Sequence, residues 1–395
     1  MLSQESAATV RATLPAVAEH LDTITARFYD GMLVEHPELL DGLFNRANQA
    51  NGDQRKALAA SIAGFATALL ENPDERPDTM LSRVAHKHVS LGVTEDQYVI
   101  VHKYLFRGIA EVLGEAATPD VVAAWDEVYW LMAGALIAIE ARLYHQSGST
   151  GRDVWRPWRV TDRAQQTPDT VSLDLEPQDG DPAPAFRAGQ YVSVQVRLPD
   201  GGVRQARQYS LTGWDGRRRR ITVKRLRAGE TPAGEVSTLL HDSASPGDTF
   251  MVSTPAGDVT VPDGDHPVVL VSAGIGCTPM VAMLHHLAET GSTREILVLH
   301  ADHGPAEHPH RDETAVLLGN LPGAVSRTWY ENSDDGDHRG LMDLSEVTVP
   351  EGAEVFLCGP LPFMSEVRSQ FLDAGVAPRH IHYEVFGPDM WLGTA

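Results

Sequence analysis

Hydrophobic residues recur every three or four positions through residues 1–147, which is the spacing of amphipathic helices. Val10, Leu14, Val17 and Leu21 predict one helix. A second is predicted over residues 28–33, ending before Pro37, and a third from about residue 54 to residue 70. The first part of residues 1–147 is therefore predicted to be helical, and it shows no strand pattern.

Two later helices have clear start signals. Thr94 and Gln97 form a capping box that opens one helix, and Pro119 opens a long one. The whole segment 1–147 is therefore predicted to be an all-α bundle.

After residue 147 the pattern changes twice. Residues 148–152 are polar and predict a linker, whereas residues 153–263 alternate with period two between Gly and Pro clusters. That second region predicts a small antiparallel barrel or sandwich. Residues 264–395 alternate buried strands with helices, which predicts an α/β domain with an open parallel sheet. Its predicted strands are 268–271, 296–299, 325–329 and 355–357.

Residues 268–287 combine a buried strand, a glycine turn and a helix. Gly274 and Gly276 lie in the turn, and Pro279 is predicted at the first helical position, where a third glycine would complete the dinucleotide fingerprint. This geometry directs backbone N–H groups at a phosphate, but a plain tight turn has the same pattern.

Two further segments in the barrel region suit an anionic aromatic ligand. Arg207, Gln208, Tyr209 and Ser210 are predicted to close a strand, and residues 234–238 precede a short apolar helix. An ordinary strand end and an ordinary helix start are the alternatives.

Composition narrows the class of protein. The 395 residues suggest two or three domains, and the net charge of −22 argues against nucleic acid or anionic membrane as partners. Cys277 and Cys358 form no disulfide framework, no signal peptide is evident, and the longest apolar run, 128–139, is too short to span a bilayer. We expect a cytoplasmic protein.

The basic run 217–220 is predicted to be a solvated turn.

Three of the seventeen histidines are candidates for a metal ligand in the helical region. His86 shares a helix face with polar residues, whereas His88 and His102 each share one with apolar residues. Periodicity does not separate His88 from His102.

The motifs of the second half occur in the order found in the ferredoxin–NADP reductase superfamily. After RQYS, GEVST and the glycine turn come Cys358-Gly359-Pro360 and the terminal segment Tyr383-Glu384-Val385-Phe386-Gly387-Pro388, which resembles the segment that covers the flavin. The resemblance implies FAD and a nicotinamide nucleotide as ligands. The implied binding residues are Tyr191, Arg207, Gln208, Tyr209, Ser210, Gly234, Val236, Ser237, Gly274, Ile275, Gly276, Cys277, Thr278, Pro279, Cys358, Gly359, Pro360, Glu384, Val385, Phe386, Gly387 and Pro388.

The full chain resembles the flavohaemoglobins, which join a globin to such a reductase. The residues that carry this are Phe28-Tyr29-Asp30, Phe44-Asn45, Asn48-Gln49, Asn51-Gly52-Asp53-Gln54-Arg55, Ala85-His86-Lys87-His88, Glu95-Asp96-Gln97-Tyr98 and Ile139-Glu140-Ala141. The resemblance implies that His88 is the proximal ligand of haem b, with Tyr98 and Glu140 behind it. By the same resemblance Tyr29, Gln54 and Leu58 line the distal side and Phe44 packs on the haem. Lys87 and Glu384 occupy positions tied in the family to haem–flavin communication.

The implied activity is nitric oxide dioxygenation, in which NAD(P)H reduces FAD, FAD reduces the haem, and NO and O₂ give nitrate. A haem-based O₂ or NO sensor and a plain NAD(P)H-dependent flavin reductase are the alternatives. Asp302 favours NADH because it could bind ribose hydroxyls, whereas Arg311 and Arg327 could bind a 2′-phosphate. Cys277 stands where relatives often have a polar residue, and would be redox-sensitive if exposed. We expect a monomer.

Overall fold

All of the regular secondary structure that the computed structural model describes in the first part of the chain is helical. The described residues are 1–40, 52–199, 204–229 and 233–387, without the side chains of Leu40, Asp53, Gln54 and Thr79. The helices are α1 (Gln4–Glu35), α2 (Asp53–Glu71), α3 (Asp78–Leu91), α4 (Glu95–Leu113) and α5 (Pro119–Ser147). The predicted all-α fold is confirmed.

The two helices predicted for residues 1–37 form a single helix, α1, so that prediction was wrong. The buried face of the helix continues through Ile24 and the polar Thr25, which are both fully buried. The Thr25 hydroxyl donates to the carbonyl of Leu21 at 2.9 Å, so this polar group is satisfied inside the helix.

The two predicted helix starts, at Thr94 and Pro119, are confirmed. The capping box at the start of α4 is formed, because the Thr94 N–H donates to Oε1 of Gln97 at 3.1 Å. Of the described helices, α5 alone has the length and hydropathy of a membrane span. It packs against α1 and α3 and carries the buried Glu140, so its apolar composition is accounted for by the bundle core.

A closed antiparallel barrel follows, which resolves the choice between barrel and sandwich. Its strand order is β1-β2-β5-β4-β3-β6. The strands are β1 (Arg156–Thr167), β2 (Thr170–Pro177), β3 (Tyr191–Arg197), β4 (Arg204–Asp215), β5 (Arg218–Lys224) and β6 (Thr249–Val252), and helix α6 (Glu235–Ser243) precedes β6.

Two predictions in the barrel were wrong. Residues 207–210 do not close a strand, because β4 continues to Asp215 and pairs with β5. The basic run is not a solvated turn, because β5 begins at Arg218. The Arg219 side chain is 8% exposed and lies 4.9 Å from the ring of Phe186. Of the four arginines, Arg217 lies in the turn and Arg218 is exposed at the strand start, whereas Arg219 is buried and Arg220 is half-buried on the strand.

The last region is a parallel sheet of strand order β10-β9-β8-β7-β11-β12. The strands are β7 (Val268–Ala273), β8 (Ile296–Asp302), β9 (Ala324–Tyr330), β10 (His338–Arg339), β11 (Glu354–Cys358) and β12 (Ile381–Glu384). The helices are α7 (Cys277–Glu289), α8 (Arg311–Gly319) and α9 (Leu361–Asp373). All four predicted strands are present. The chain leaves β7 on one side toward β8 and returns on the other at β11, so these two strands form a switch point.

The described residues fall into two compact units. One contains residues 1–155, 195–207 and Gly387, and the other contains residues 156–194 and 208–386. The α/β domain and most of the barrel therefore lie together in the second unit.

Candidate functional site

His88 is held in the last turn of α3 by the way that helix ends. Gly92 adopts the left-handed conformation that terminates α3, with φ of 78°, and the N–H of Val93 donates to the carbonyl of His88 at 3.1 Å. A Cβ at Gly92 would stand 2.7 Å from the carbonyl oxygen of Gly151, so no larger residue fits without movement. The backbone position of His88 is therefore fixed.

The ring of His88 is oriented by residues from two other helices. Its Nδ1 lies 2.7 Å from Oε1 of Glu140 on α5 and 2.9 Å from the hydroxyl of Tyr98 on α4. The Tyr98 hydroxyl donates to the same carboxylate oxygen at 2.6 Å. Glu140 is only 3% exposed, so its negative charge is enclosed between these donors. The alternative that Glu140 is a solvated surface carboxylate is excluded.

This arrangement leaves Nε2 of His88 for a metal. A carboxylate that accepts from Nδ1–H fixes the tautomer in which Nε2 carries the lone pair, and it makes the imidazole a stronger ligand. Within the described residues, Nε2 makes no hydrogen bond. Burial, and then the charge of Glu140, raise the pKa of Tyr98, so this tyrosine stays a neutral donor.

His102 does not match this arrangement. His102 is half-buried, its Nε2 lies 2.6 Å from Oδ1 of Asp126, and its ring stacks between Phe106 and Trp130. Both the nitrogen and the ring faces are already engaged. His86 is half-buried on α3. The structure thus separates His88 from His102 where periodicity could not.

Tyr29 lies on the inner face of α1, in the core that also contains Tyr98, and Leu58 packs against that core from α2. Burial raises the pKa of Tyr29, partly offset by Arg55, so the hydroxyl keeps its proton. Phe44 and the side chain of Gln54 lie outside the described residues. Their predicted roles remain predictions.

The residues predicted to contact a flavin lie on β3 and β4. Ser210 is buried, whereas Arg207, Gln208 and Tyr209 are half-buried. The Gln208 side-chain amide donates to Oγ of Ser193 at 3.1 Å, which fixes its orientation.

Tyr191, at the start of β3, packs against the backbone of Gly257. A Cβ at Gly257 would lie 3.1 Å from that ring, and the glycine has φ of 112°. The ring of Tyr191 is thus held in place by a glycine turn.

Helix α6 begins directly after a glycine. Gly234 precedes it, and a Cβ there would stand 2.4 Å from Oγ of Ser237. Ser237 donates to the Gly234 carbonyl at 3.2 Å, and Val236 anchors the first turn in the core. The first N–H groups of such a helix favour an anion.

The glycine turn after β7 packs against the turn after β11. A Cβ at Gly276 would lie 2.3 Å from the carbonyl oxygen of Cys358, and one at Gly359 would lie 3.2 Å from Cβ of Ala273. Gly274 has φ of 54°. These two backbone turns meet at the carboxyl edge of the sheet, where α/β proteins bind nucleotides.

Pro279 is the third residue of α7 and not the first, because the helix already begins at Cys277. Its missing N–H is still tolerated, since the first four N–H groups of a helix have no partner within it. Ile275 and Thr278 close the turn: the Thr278 hydroxyl donates to the carbonyl of Ile275 at 2.9 Å.

Both cysteines are buried, so the condition for a redox-sensitive Cys277 is not met. The thiol of Cys277 donates to the carbonyl of Pro309 at 3.7 Å. Burial raises the pKa of both thiols, which keeps them protonated and unreactive.

We therefore expect no rapid thiol labelling of the native protein. A disulfide reagent should release no thiol signal from folded protein within minutes and two equivalents after denaturation in guanidinium. One rapidly reacting equivalent in the native state would contradict the buried position of Cys277 or Cys358.

The terminal segment leaves β12 at Glu384, and Phe386 is exposed two residues later. The Lys87 ammonium donates to the carbonyl of Gly387 at 2.6 Å within the first unit. Pro360 precedes α9, Val385 follows β12, and Pro388 lies outside the described residues.

Asp302 does not present its carboxylate as predicted. Its side chain is 2% exposed, it faces His300 at 3.5 Å, and it accepts from the N–H of His303. A carboxylate buried in this way is not available to ribose hydroxyls. The prediction that Asp302 favours NADH over NADPH therefore loses its support. Arg311 and Arg327 are exposed.

Sequence reasoning missed a cluster of titratable residues in the second unit. Glu313 of α8 contacts His310, His285 and Arg220. The three-residue spacing of His310 and Glu313 was the one available signal, because helical neighbours at that spacing meet. The contacts of Glu313 with His285 on α7 and Arg220 on β5 join segments that are distant in sequence, so no local pattern predicts them.

A histidine oriented by a buried carboxylate and a tyrosine in an all-α bundle, followed by a barrel and a nucleotide-type α/β sheet, is typical of a globin joined to a reductase. Residues 26–136 match the globin family, and residues 270–369 match the oxidoreductase NAD-binding domain family. The chain belongs to the flavohaemoprotein family: it is 41% identical to the flavohemoprotein of Bordetella pertussis over 98% of this chain and 99% of that one.

Other relatives agree over the same length. The flavohemoprotein of Bacillus subtilis is 35% identical over the full length of both chains. The crystal structure of flavohemoglobin from Malassezia yamatoensis, with bound FAD and haem, is 42% identical, with a TM-score of 0.93 over 98% of this chain and 100% of that one. The FAD/NAD-binding domain of nitric oxide dioxygenase from Vibrio cholerae is 38% identical over 59% of this chain and 99% of that one, with a TM-score of 0.55.

Proposed function

We propose that this chain is an NAD(P)H-dependent nitric oxide dioxygenase. Two NO and two O₂ would be converted to two nitrate ions, with one NAD(P)H supplying two electrons through FAD to the haem. The observation that carries the proposal is the His88–Glu140–Tyr98 cluster in a globin whose own chain continues into an NAD-binding oxidoreductase domain. The family supports electron transfer from NAD(P)H through FAD to haem.

The haem would be held by Nε2 of His88, and its iron would supply a centre that binds O₂ and accepts single electrons. Glu140 stabilises positive charge on the imidazole through Nδ1–H, which makes His88 more electron-donating. That property favours oxidative chemistry over reversible oxygen storage. Tyr98 holds the carboxylate in position by donating to the same oxygen.

Tyr29 is the candidate hydrogen-bond donor on the opposite side. Because burial raises its pKa, the hydroxyl remains protonated at every physiological pH and can stabilise negative charge that develops on a gas ligand. Gln54 and Leu58 are proposed to complete that side, with Phe44 against the haem plane.

FAD and the nicotinamide nucleotide supply two-electron chemistry that the protein side chains lack. The buried Ser210 would donate a hydrogen bond to the flavin ring, and the N–H groups that follow Gly234 suit a pyrophosphate. Arg207 is a further phosphate candidate. The glycine turn at Gly276 would receive the nucleotide phosphate, and the exposed Phe386 would cover the flavin until the nicotinamide displaces it.

The test is NO consumption by purified protein in the presence of NADH or NADPH and O₂, with nitrate measured as product. We expect turnover with nitrate equal to the NO consumed. Tyr29→Phe should keep the haem but lower turnover by about a hundredfold, the lower end of the loss caused elsewhere by removing a charge-stabilising donor. Haem and flavin without NO turnover would favour the sensor, and a protein without a Soret band would favour the plain reductase.

A more selective prediction concerns the charge of Glu140. Glu140→Gln keeps an oxygen that accepts from Nδ1 but removes the negative charge, so the haem reduction potential should rise. NO turnover should fall by about tenfold. Spectroelectrochemical titration gives the potential. Asp126→Asn, which alters the other histidine–carboxylate pair of the bundle, is the matched control and should leave the potential unchanged.

A further inference from the structure

Strand β5 presents alternate side chains to two different surroundings. Arg219, Ile221 and Val223 are buried in the barrel. The residues between them face the α/β domain, which lies in the same unit. Arg220 donates to Glu313, Thr222 contacts His310 at 2.8 Å, and the Lys224 ammonium lies 3.7 Å from where a Cβ of Gly274 would stand. One face of β5 thus spans the junction of the barrel with the α/β domain.

Glu313 is the centre of this junction. Its Oε1 accepts from Arg220 and lies 2.6 Å from Nε2 of His285, and its Oε2 lies 2.7 Å from Nδ1 of His310. Burial alone would raise the pKa of Glu313, but hydrogen bonds from His285, His310 and Arg220 lower it, so the carboxylate is charged. Three donors from three segments therefore share one carboxylate.

His310 connects this carboxylate to the barrel. Its side chain is fully buried, and burial lowers its pKa, so the ring is neutral. A neutral ring whose Nδ1 donates to Glu313 accepts at Nε2 from the hydroxyl of Thr222. Thr222 in turn lies 3.0 Å from the hydroxyl of Ser172 and 3.2 Å from that of Thr212, on neighbouring strands.

The backbone at His310 is held as tightly as its ring. It has φ of 58°, the one positive value among the non-glycine residues that the structure describes. Its N–H donates to Oε1 of Gln166 on β1 at 3.4 Å. The preceding carbonyl, of Pro309, accepts from Cys277, the residue that follows Gly276 in the glycine turn. The Pro309–His310 segment therefore links the glycine turn to the barrel.

We propose that Glu313 is a positioning residue for electron transfer from nicotinamide to flavin, acting through Arg220 and His310. It holds the glycine turn at a fixed place relative to the barrel, so that a nucleotide in the turn meets a flavin on the barrel in the reactive geometry. The inference rests on the reductase half of the proposed function. Displacements of about 1 Å can cost a hundredfold in rate, which gives such a contact a measurable effect.

The test is anaerobic stopped-flow reduction of the bound FAD by NADH, or by NADPH if that is faster, in Glu313→Ala. We expect the limiting rate to fall about tenfold. Flavin content and the affinity for NAD⁺ or NADP⁺ should stay within about twofold of wild type. The charge-transfer absorbance between nicotinamide and flavin should weaken, which a role in stability alone would not produce.

Glu354→Gln is the matched control. Glu354 also accepts from two histidines, His380 at 2.8 Å and His382 at 2.7 Å, but it lies at the amino end of β11, away from the barrel junction. It should leave the flavin reduction rate unchanged. If Glu313→Ala does not fold, Glu313→Gln, which keeps the shape of the side chain, is measured in the same way.

Arg220→Met combined with Glu313→Gln tests whether the two residues act as one. The double variant should be no slower than Glu313→Gln alone. The proposal is overturned if folded Glu313 variants reduce flavin at the wild-type rate, or if Glu354→Gln slows it equally. The assay does not depend on NO chemistry at the haem, because it measures hydride transfer from the nucleotide to the flavin. A wild-type protein whose flavin is not reduced by either nucleotide would instead contradict the proposed function.

Discussion

A His88→Ala variant is expected to be purified without the Soret absorbance of haem, but with bound flavin and with NAD(P)H oxidation by an artificial acceptor intact. The substitution removes the only described side chain whose orientation leaves a ring nitrogen for iron opposite a buried carboxylate. NO consumption should therefore fall to background. Absorption spectra, flavin release on denaturation and an NO electrode measure the three quantities.

The same substitution should destabilise the helical unit beyond the loss of haem. Glu140 keeps the donor from Tyr98 but loses the one from His88, and a buried charge left without its partner costs about 3 kcal/mol. A His88→Ala/Glu140→Gln double variant should recover part of that stability while still lacking haem, as measured by chemical denaturation.

His102→Ala is the control for both results, because His102 is also half-buried and paired with a carboxylate in the same bundle. It should retain haem and activity. Full haem occupancy with an unchanged spectrum in His88→Ala would show that another residue ligates the iron. Partial rescue by added imidazole would support the assignment.

The second large effect is expected at the glycine turn. Gly276→Ala places a Cβ 2.3 Å from the carbonyl oxygen of Cys358 and 2.8 Å from the nitrogen of Gly359. Both contacts are backbone atoms that cannot rotate away, so the two turns must separate. We expect NAD(P)H-driven flavin reduction to fall by about a hundredfold or more, because the nucleotide is then misplaced.

Haem and FAD should remain bound in Gly276→Ala, since neither is predicted to contact this turn. Gly319→Ala is the control in the same domain, because a Cβ there meets nothing within 4 Å. Its flavin reduction should match wild type. Unchanged nucleotide kinetics in Gly276→Ala would mean that the nucleotide binds elsewhere.

The order of elements could be predicted from the sequence because each region has its own hydrophobic period. The helical, barrel and α/β regions differ in period, and start signals such as Thr94 and Pro119 are local. The unbroken α1 was missed because the polar Thr25 interrupts the stripe in sequence. In the helix, that hydroxyl is satisfied by a carbonyl one turn earlier.

The site was harder to predict from the sequence than the fold, because its contacts join segments that are far apart in the chain. His88 and His102 have equivalent apolar helix faces, and only the approach of Glu140, 52 residues away, distinguishes them. Resemblance to a family indicated the choice where periodicity could not. The run of arginines at β5 was misread because four like charges suggest a solvated turn. The alternation of Ile221 and Val223 downstream could have shown that the strand begins earlier.

The alternation of side chains between the two faces of β5 limits which insertions and deletions this strand can accept. The hairpin between β4 and β5 turns at Gly216 and Arg217. Loss or gain of one residue in β5 would exchange its two faces, which would bury Lys224 in the barrel and direct Val223 toward the nucleotide edge. Changes of two residues preserve the faces. Viable insertions and deletions within this strand should therefore occur in even steps.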